Sequence, residues 1–303
     1  MGGRKVCRVL IGGRWIERAH LPHSFDGSCV PFCGELVLLG LEWRYGSQGS
    51  LCCSAFNLET NVWRLLEWEL PGKRVLACCA TDTVLVALVA LSFADRRASS
   101  MSLRRASLMS LRPGSAEGWV PIPDPPVAVF SSKRPPSLCC VEGIAYVFGG
   151  ADESGVLSNA FQALNLSTGA WTARAPLPEA RSKSVCVQLA GRLYVLGGFF
   201  AIGGDDDNSN VRASEFSYDL RTDRWRSESP LPFEHYQEYS ETGSPQLTAV
   251  SHEGRVVVFG IRESPPLALV GDVWTELSLQ PLPPNMYSVR AASLPLGSSR
   301  EAG

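Results

Sequence analysis

An indole returns along this chain about every fifty residues, and that spacing restricts the fold before any local propensity is considered. Trp15, Trp63, Trp119, Trp171, Trp225 and Trp274 are separated by 48, 56, 52, 54 and 49 residues. Each lies in a short β-like run, and Leu-Pro exits follow the runs of Trp171 and Trp225. A period of this length marks repeated supersecondary units, each too small to bury its own apolar face and therefore stacked on its neighbours. Six indoles predict six units.

The two central units share one phrase: Gly143 to Gly150 reads GIAYVFGG, and Gly191 to Gly198 reads GRLYVLGG. Behind the glycine pair, Leu164 and Tyr218 stand seven residues ahead of Trp171 and Trp225, as Phe56 and Leu267 stand ahead of Trp63 and Trp274. Cys33-Gly34, Thr81-Asp82, Glu142-Gly143, Ala190-Gly191 and Glu253-Gly254 each separate two apolar runs. A tight hairpin needs residues tolerant of positive φ at such positions, so every unit reads as a small antiparallel sheet. In the flanking units Leu39-Gly40-Leu41, Val89-Ala90-Leu91 and Phe259-Gly260-Ile261 replace the glycine pair. Those units are expected to pack differently, because a side chain forbids the close backbone approach that glycine permits. Only 14 residues separate Gly260 from Trp274, which predicts a clipped loop there.

These motifs resemble the kelch-repeat family, and the run YDLRTDRW from Tyr218 to Trp225 resembles the Tyr-Asp-x-x-Thr-x-x-Trp wording of its F-box members. The resemblance implies an all-β, six-bladed kelch-type β-propeller spanning residues 1–303 as one domain, with four-stranded blades around a central channel. It places the glycine pair at the end of the second strand and the tryptophan in the fourth. At the N-terminus, Lys5 to Ile11 and Arg14 to Ala19 read as a hairpin, the second half of a blade. Met286 to Leu296 is the β-like stretch left over, so the two chain ends are expected to share the sixth blade, with residues 297–303 as a disordered tail. Closure of this kind removes the open sheet edge.

Composition excludes several roles. A net charge of −2 and a pI near 6.1 supply no basic stripe for nucleic acid. The longest apolar stretch, Thr83 to Phe93, is too short to cross a membrane as a helix, and no apolar core with a cleavage site follows Arg4-Lys5. Among ten cysteines, Cys52-Cys53, Cys78-Cys79 and Cys139-Cys140 are adjacent pairs in strand-like runs, whose side chains point to opposite faces and cannot easily bridge each other. A reduced protein of the cytoplasm or nucleus is expected. Cys-x-x-Cys spacing is absent and His20, His23, His235 and His252 are scattered, so neither metal nor cofactor is expected.

The chain carries no Gly-x-Ser-x-Gly elbow, phosphate-binding glycine loop or His-Glu-x-x-His helix, and the first reading is a protein without catalysis. Trp43-Arg44-Tyr45 and Phe199-Phe200 follow second strands, where aromatic and arginine side chains make interface anchors. Asp205-Asp206-Asp207 reads as a solvated loop able to face a basic partner; a calcium loop would alternate its ligands. The resemblance adds Arg134 and Arg181, the latter in a Pro-x-x-Arg setting, to the same docking face. Arg96-Arg97-Ala98-Ser99 and Arg104-Arg105-Ala106-Ser107 match the preference of basophilic kinases and make Ser99 and Ser107 candidate phosphorylation sites.

The expected function is therefore a monomeric protein-interaction propeller, resembling the substrate-recognition half of F-box/kelch ubiquitin-ligase adaptors and binding a protein partner such as a ubiquitylation substrate. No F-box or BTB sequence stands ahead of the first propeller strand. A propeller enzyme of the sugar-isomerase or specifier type, and a cytoskeletal or scaffold binder, are the alternative readings.

Overall fold

A computed structural model of the chain describes residues 7–11, 14–21, 24–43, 50–72, 74–91, 106–127, 131, 134–152, 154–198, 214–232, 247–259 and 265–278. Among them every regular element is a β-strand. A hairpin comes first, β1 (Arg8–Ile11) with β2 (Arg14–Glu17). Five four-stranded sheets follow. The first blade holds β3 (Ser24–Phe32), β4 (Glu35–Trp43), β5 (Ser50–Asn57) and β6 (Val62–Leu66), and the second β7 (Arg74–Ala80), β8 (Leu85–Ala90), β9 (Ala106–Leu111) and β10 (Trp119–Pro121). The third holds β11 (Ser137–Val141), β12 (Ile144–Phe148), β13 (Phe161–Asn165) and β14 (Trp171–Ala173), and the fourth β15 (Val185–Leu189), β16 (Arg192–Leu196), β17 (Phe216–Asp219) and β18 (Arg224–Ser227). β19 (Thr248–His252), β20 (Arg255–Phe259), β21 (Leu267–Val270) and β22 (Val273–Glu276) form the fifth.

Each blade is an antiparallel meander in chain order, and the first strands neighbour one another in the succession β3, β7, β11, β15, β19. First strands are thus innermost and the tryptophan-bearing fourth strands outermost. The molecule is a propeller. Its described residues make five complete blades and one two-stranded hairpin, where the sequence predicts six blades. The stretch expected to complete the sixth, Met286 to Leu296, and the tail 297–303 lie outside the described residues.

Alternation along each strand sends side chains into the two seams on either side of a blade. Leu39, Ala55, Leu85 and Val89 fill the seam between the first and second blades; Val86, Leu88, Val147 and Leu164 fill the next. β8 is buried at all six positions, as a strand covered on both faces must be, which explains its unbroken apolar run.

The predicted hairpin turns are present. Cys33, Glu142, Ala190 and Glu253 adopt φ of 51°, 48°, 48° and 47°, and the glycine after each has φ between 69° and 79°. Thr81-Asp82 is different: the link from β7 to β8 runs over four residues, 81–84, closed by a hydrogen bond from Thr81 N to Val84 O at 2.9 Å. Thr81 Oγ1 accepts from the amides of Thr83 and Val84, so a side chain holds the turn that glycine holds elsewhere.

The sevenfold spacing to the tryptophan has a local cause. In Asn57-Leu-x-Thr-Asn61-x-Trp63, Asn165-Leu-x-Thr-Gly169-x-Trp171 and Asp219-Leu-x-Thr-Asp223-x-Trp225, the first side-chain oxygen accepts from the amides two and three residues on. The fifth residue takes positive φ, 57°, 73° and 56°, and the chain turns back so that Phe56, Leu164 and Tyr218 pair with their tryptophans. Leu267 does not hold the corresponding place. The β21–β22 turn is only Gly271-Asp272, so Trp274 pairs with Leu269 and Leu267 with Glu276.

Indoles join blades rather than finish them. Trp171 Nε1 donates to the carbonyl of Pro123 at 2.9 Å, Trp225 to Ala175 at 2.7 Å and Trp274 to Ser229 at 2.9 Å, in each case two residues beyond the end of the preceding blade's fourth strand. Trp63 donates in the same way to Ala19, two residues beyond β2. Asn61 and Asp223 complete a two-point clamp by accepting from the amides of Ala19 and Ala175 at 3.0 Å.

Candidate functional site

Antiparallel order puts the start of each first strand beside the end of its second strand and the start of its third. One face of the disc therefore collects the connections into first strands and those between second and third strands. Arg44, Tyr45, Ser99, Phe199, Phe200, Asp205, Asp206 and Asp207 all belong to second-to-third connections and lie outside the described residues. Trp43, expected in a loop, is instead the last residue of β4 and pairs with Ser24. Without a glycine pair to end it, β4 continues to nine residues, whereas β12 and β16 stop at five. Ser107 lies half-buried in β9, paired with Val89.

Glycine pairs shape the site. Gly149 and Gly150 have φ of 66° and 91°, Gly197 and Gly198 of 60° and 100°. The backbone of Arg181 lies directly on the first pair: Gly150 N donates to Arg181 O at 2.7 Å, and a Cβ on Gly149 would stand 2.1 Å from that oxygen. Lys183 N donates to Pro135 O at 3.1 Å and Ser137 Oγ to Ser184 O at 2.6 Å, sewing the approach to the fourth blade onto the third.

Arg181 was expected on the docking surface but is only 2% exposed. Its guanidinium donates to the carbonyls of Gly197 (3.1 Å) and Ser214 (2.7 Å) and to Glu179 (2.9 Å), and lies 4.8 Å over the Phe216 ring. It is a strut between connections. Glu215, 1% exposed, accepts from Gly197 N at 2.9 Å through Oε2, while Oε1 has no hydrogen-bond partner. Burial raises this carboxyl to about 7, against the opposing pull of the Gly197 amide and Arg181. Sequence gave no signal for Glu215, a lone acid in a connection.

Charge on this face is positive at the entries to three of the five described first strands. Arg74 is the first residue of β7, Arg134 stands three residues ahead of β11 and Lys183 two ahead of β15, nearby but not identical places in three consecutive blades. Burial first, and then the charges of Arg74 and Arg134, lower the Lys183 ammonium to about 8. Arg134 reaches Gly155 O at 3.4 Å and its own carbonyl accepts from Ala151 N, which holds the 149–160 connection beside it. Arg134 was legible in the sequence; Lys183 could have been found from Arg181-Ser-Lys183 directly ahead of a first strand. Among the described residues, no group of three or more His, Cys, Asp or Glu side chains is placed to hold a metal ion.

Five up-and-down sheets with their first strands innermost define an all-β propeller. Over part of its length the chain is related to several kelch-repeat proteins. It is 29% identical over 106 residues to Kelch repeat and BTB domain-containing protein 12 of Danio rerio, which covers 34% of this chain and 16% of the relative. It is 34% identical over 117 residues to Kelch domain-containing protein 7A of Mus musculus (38% and 14%), and 28% identical over 117 residues to Beta-scruin of Limulus polyphemus (39% and 12%). The matched stretches thus span less than a fifth of these relatives' own length. No family model matches the chain. A solved structure titled "Structure of YjhT" superposes with a TM-score of 0.63 at 12% identity, covering 87% of this chain and 83% of that one, a likeness of fold.

Proposed function

We propose that this chain is a closed six-bladed propeller that docks an acidic segment of a protein partner on the face where its first strands begin, as the substrate-recognition module of a ubiquitin-ligase adaptor. The observation that carries the docking face is the convergence of Arg74, Arg134 and Lys183 near the entries to the first strands of three consecutive blades, where the charges of Arg74 and Arg134 are felt by Lys183. Positive charge gathered there complements an acidic segment. The connections that carry Arg44, Tyr45, Phe199, Phe200, Asp205, Asp206 and Asp207 in the sequence leave described strands on the same face, and these residues are candidate contributors to docking.

Ring closure is supported from both ends of the five-blade arc. Trp63 clamps Ala19 behind the β1–β2 hairpin as later indoles clamp the exits of complete blades. Val257 and Ala268 on the far face of the fifth blade are 1% and 0% exposed, and Phe56 on the outer face of the first is 0% exposed, so both faces are covered. A sixth blade of β1, β2 and strands from 286–296 would cover them and make residues 1–296 one domain, a single ring from one copy. Ten free cysteines support a reducing setting in the cytosol or nucleus.

The test is native affinity capture from cells with the wild-type chain and with an Arg134→Glu/Lys183→Glu variant whose thermal unfolding is unchanged. Partners lost on charge reversal and weakened by salt support the docking face, and a cullin or its linker protein among them supports the ligase role. A partner set indifferent to both the reversal and salt overturns the face; an absence of ligase subunits overturns the adaptor role alone.

A further inference from the structure

Strand alternation gives each adjacent cysteine pair of the inner strands two different destinations. Cys78 packs in the seam between the first and second blades, while Cys79 packs in the seam between the second and third. In β11 the order is reversed: Cys139 faces the fourth blade, where Cys186 packs against the same core, and Cys140 turns back toward the second. The outcome is a meeting of two thiols from different blades, with Cys79 Sγ 2.7 Å from Cys140 Sγ although they stand 61 positions apart in the chain. Both are free thiols; Cys79 is buried and Cys140 half-buried. A disulfide needs its sulfurs at about 2.0 Å on facing Cβ vectors, and two neighbouring first strands supply that approach with little backbone movement.

We propose that Cys79 and Cys140 are a modification site: under peroxide they close into a reversible disulfide that fastens the second blade to the third at the inner wall. Cys140 is the less buried of the two residues and takes the first attack. Its thiolate attacks one peroxide oxygen, the O–O bond breaks, and water leaves a sulfenic acid on Cys140. The Cys79 sulfur then attacks the Cys140 sulfur, the S–O bond breaks, and a second water departs with the Cys79 proton. In sum, two thiols and one hydrogen peroxide give one disulfide and two waters. Burial holds the Cys79 thiol well above the usual range, which disfavours it as the first nucleophile. Because the bond would close a long stretch of chain and tie two otherwise non-covalently packed sheets, it raises resistance to unfolding without altering the outer strands.

The experiment uses the full, pre-reduced chain treated with stoichiometric hydrogen peroxide, followed by alkylation, digestion without reductant and mass spectrometry. A Cys79–Cys140 linked peptide lighter by two hydrogens, reversed by dithiothreitol and accompanied by a melting temperature higher by roughly 5 °C, is the expected result. Cys140→Ser removes the linked peptide and the rise in melting temperature, whereas Cys186→Ser keeps both. The proposal falls if Cys79 stays fully alkylatable while Cys140 proceeds to sulfinic or sulfonic acid, or if the linked peptides join other cysteines. Because the wild-type mapping stands alone, a variant that fails to fold does not shield the proposal.

Discussion

The seam between the third and fourth blades and the seam between the first and second solve one packing problem with different chemistry. At the former, Gly149 and Gly150 admit the backbone of Arg181, Tyr218 and Phe161 stack edge to face at 4.6 Å, and Trp225 closes over both and bonds to Ala175. At the latter no glycine pair exists, β4 runs long, and the indole of Trp119 is buried with its Nε1 lacking a partner. There apolar packing fills the gap, from Leu39, Leu85, Val89 and Leu111 together with the rings of Phe32, Trp68 and Trp119. Polar stitching is thus an addition to apolar packing between blades, and the repeat signature marks where the addition is made.

The largest break in the comparison is expected from Gly149→Val. A Cβ there meets the Arg181 carbonyl at 2.1 Å in a backbone conformation that β-branched residues avoid, so urea denaturation should show a loss of about 3–5 kcal/mol. Ala90, the matching position of the second blade, already carries a Cβ, and Ala90→Gly should cost only about 1 kcal/mol.

Next comes the acid under the second glycine pair. Glu215 titrates near 7 in the folded chain and near 4.5 unfolded, so between those values the folded state binds more protons and stability falls as pH rises. Above pH 7 the loss is complete. Glu215→Gln should remove that slope and stabilise the protein at pH 8 by roughly 2–3 kcal/mol, with little effect at pH 4, as chemical unfolding across pH would register.

The clamp is worth less. Trp225→Phe should cost about 1 kcal/mol more than Trp119→Phe, because only the former loses a hydrogen bond and the latter removes an orphaned donor. Smallest of all, Asp223→Gly should cost about 1 kcal/mol or less by thermal unfolding: Gly169 holds the same place naturally in the third blade, and what is lost is the bond to the Ala175 amide and to the Tyr218 hydroxyl. Asp223→Ala, forced to keep φ near 56°, should cost more than the glycine variant.

Much of the blade was readable from residues because its rules are local. Positive-φ turns at Cys33-Gly34 or Ala190-Gly191, strand alternation and the Asn/Asp-Leu-x-Thr turn depend on a few neighbouring residues, so the repeat displays them directly. Leu267 was misplaced, and the turn at Thr81-Asp82 is longer than its residues suggested, for the same reason inverted: a threonine can hold a longer turn, and a two-residue turn shifts register without disturbing the apolar pattern. Trp43 was read as a loop residue because the absence of glycine lengthens a strand only when the neighbouring strand is free to follow it, as β3 does over nine residues.

From the order of residues alone came the repeat, the antiparallel blade and the identity of the outer strand, since period and turn chemistry are properties of adjacent positions. Tertiary structure decided which side chains meet across blades: that Arg181 is a buried strut, that Arg74, Arg134 and Lys183 gather on one face, and that Cys79 finds Cys140. Such meetings depend on how one sheet is rotated and stacked against the next, a distance fixed by packed volume rather than by separation along the chain.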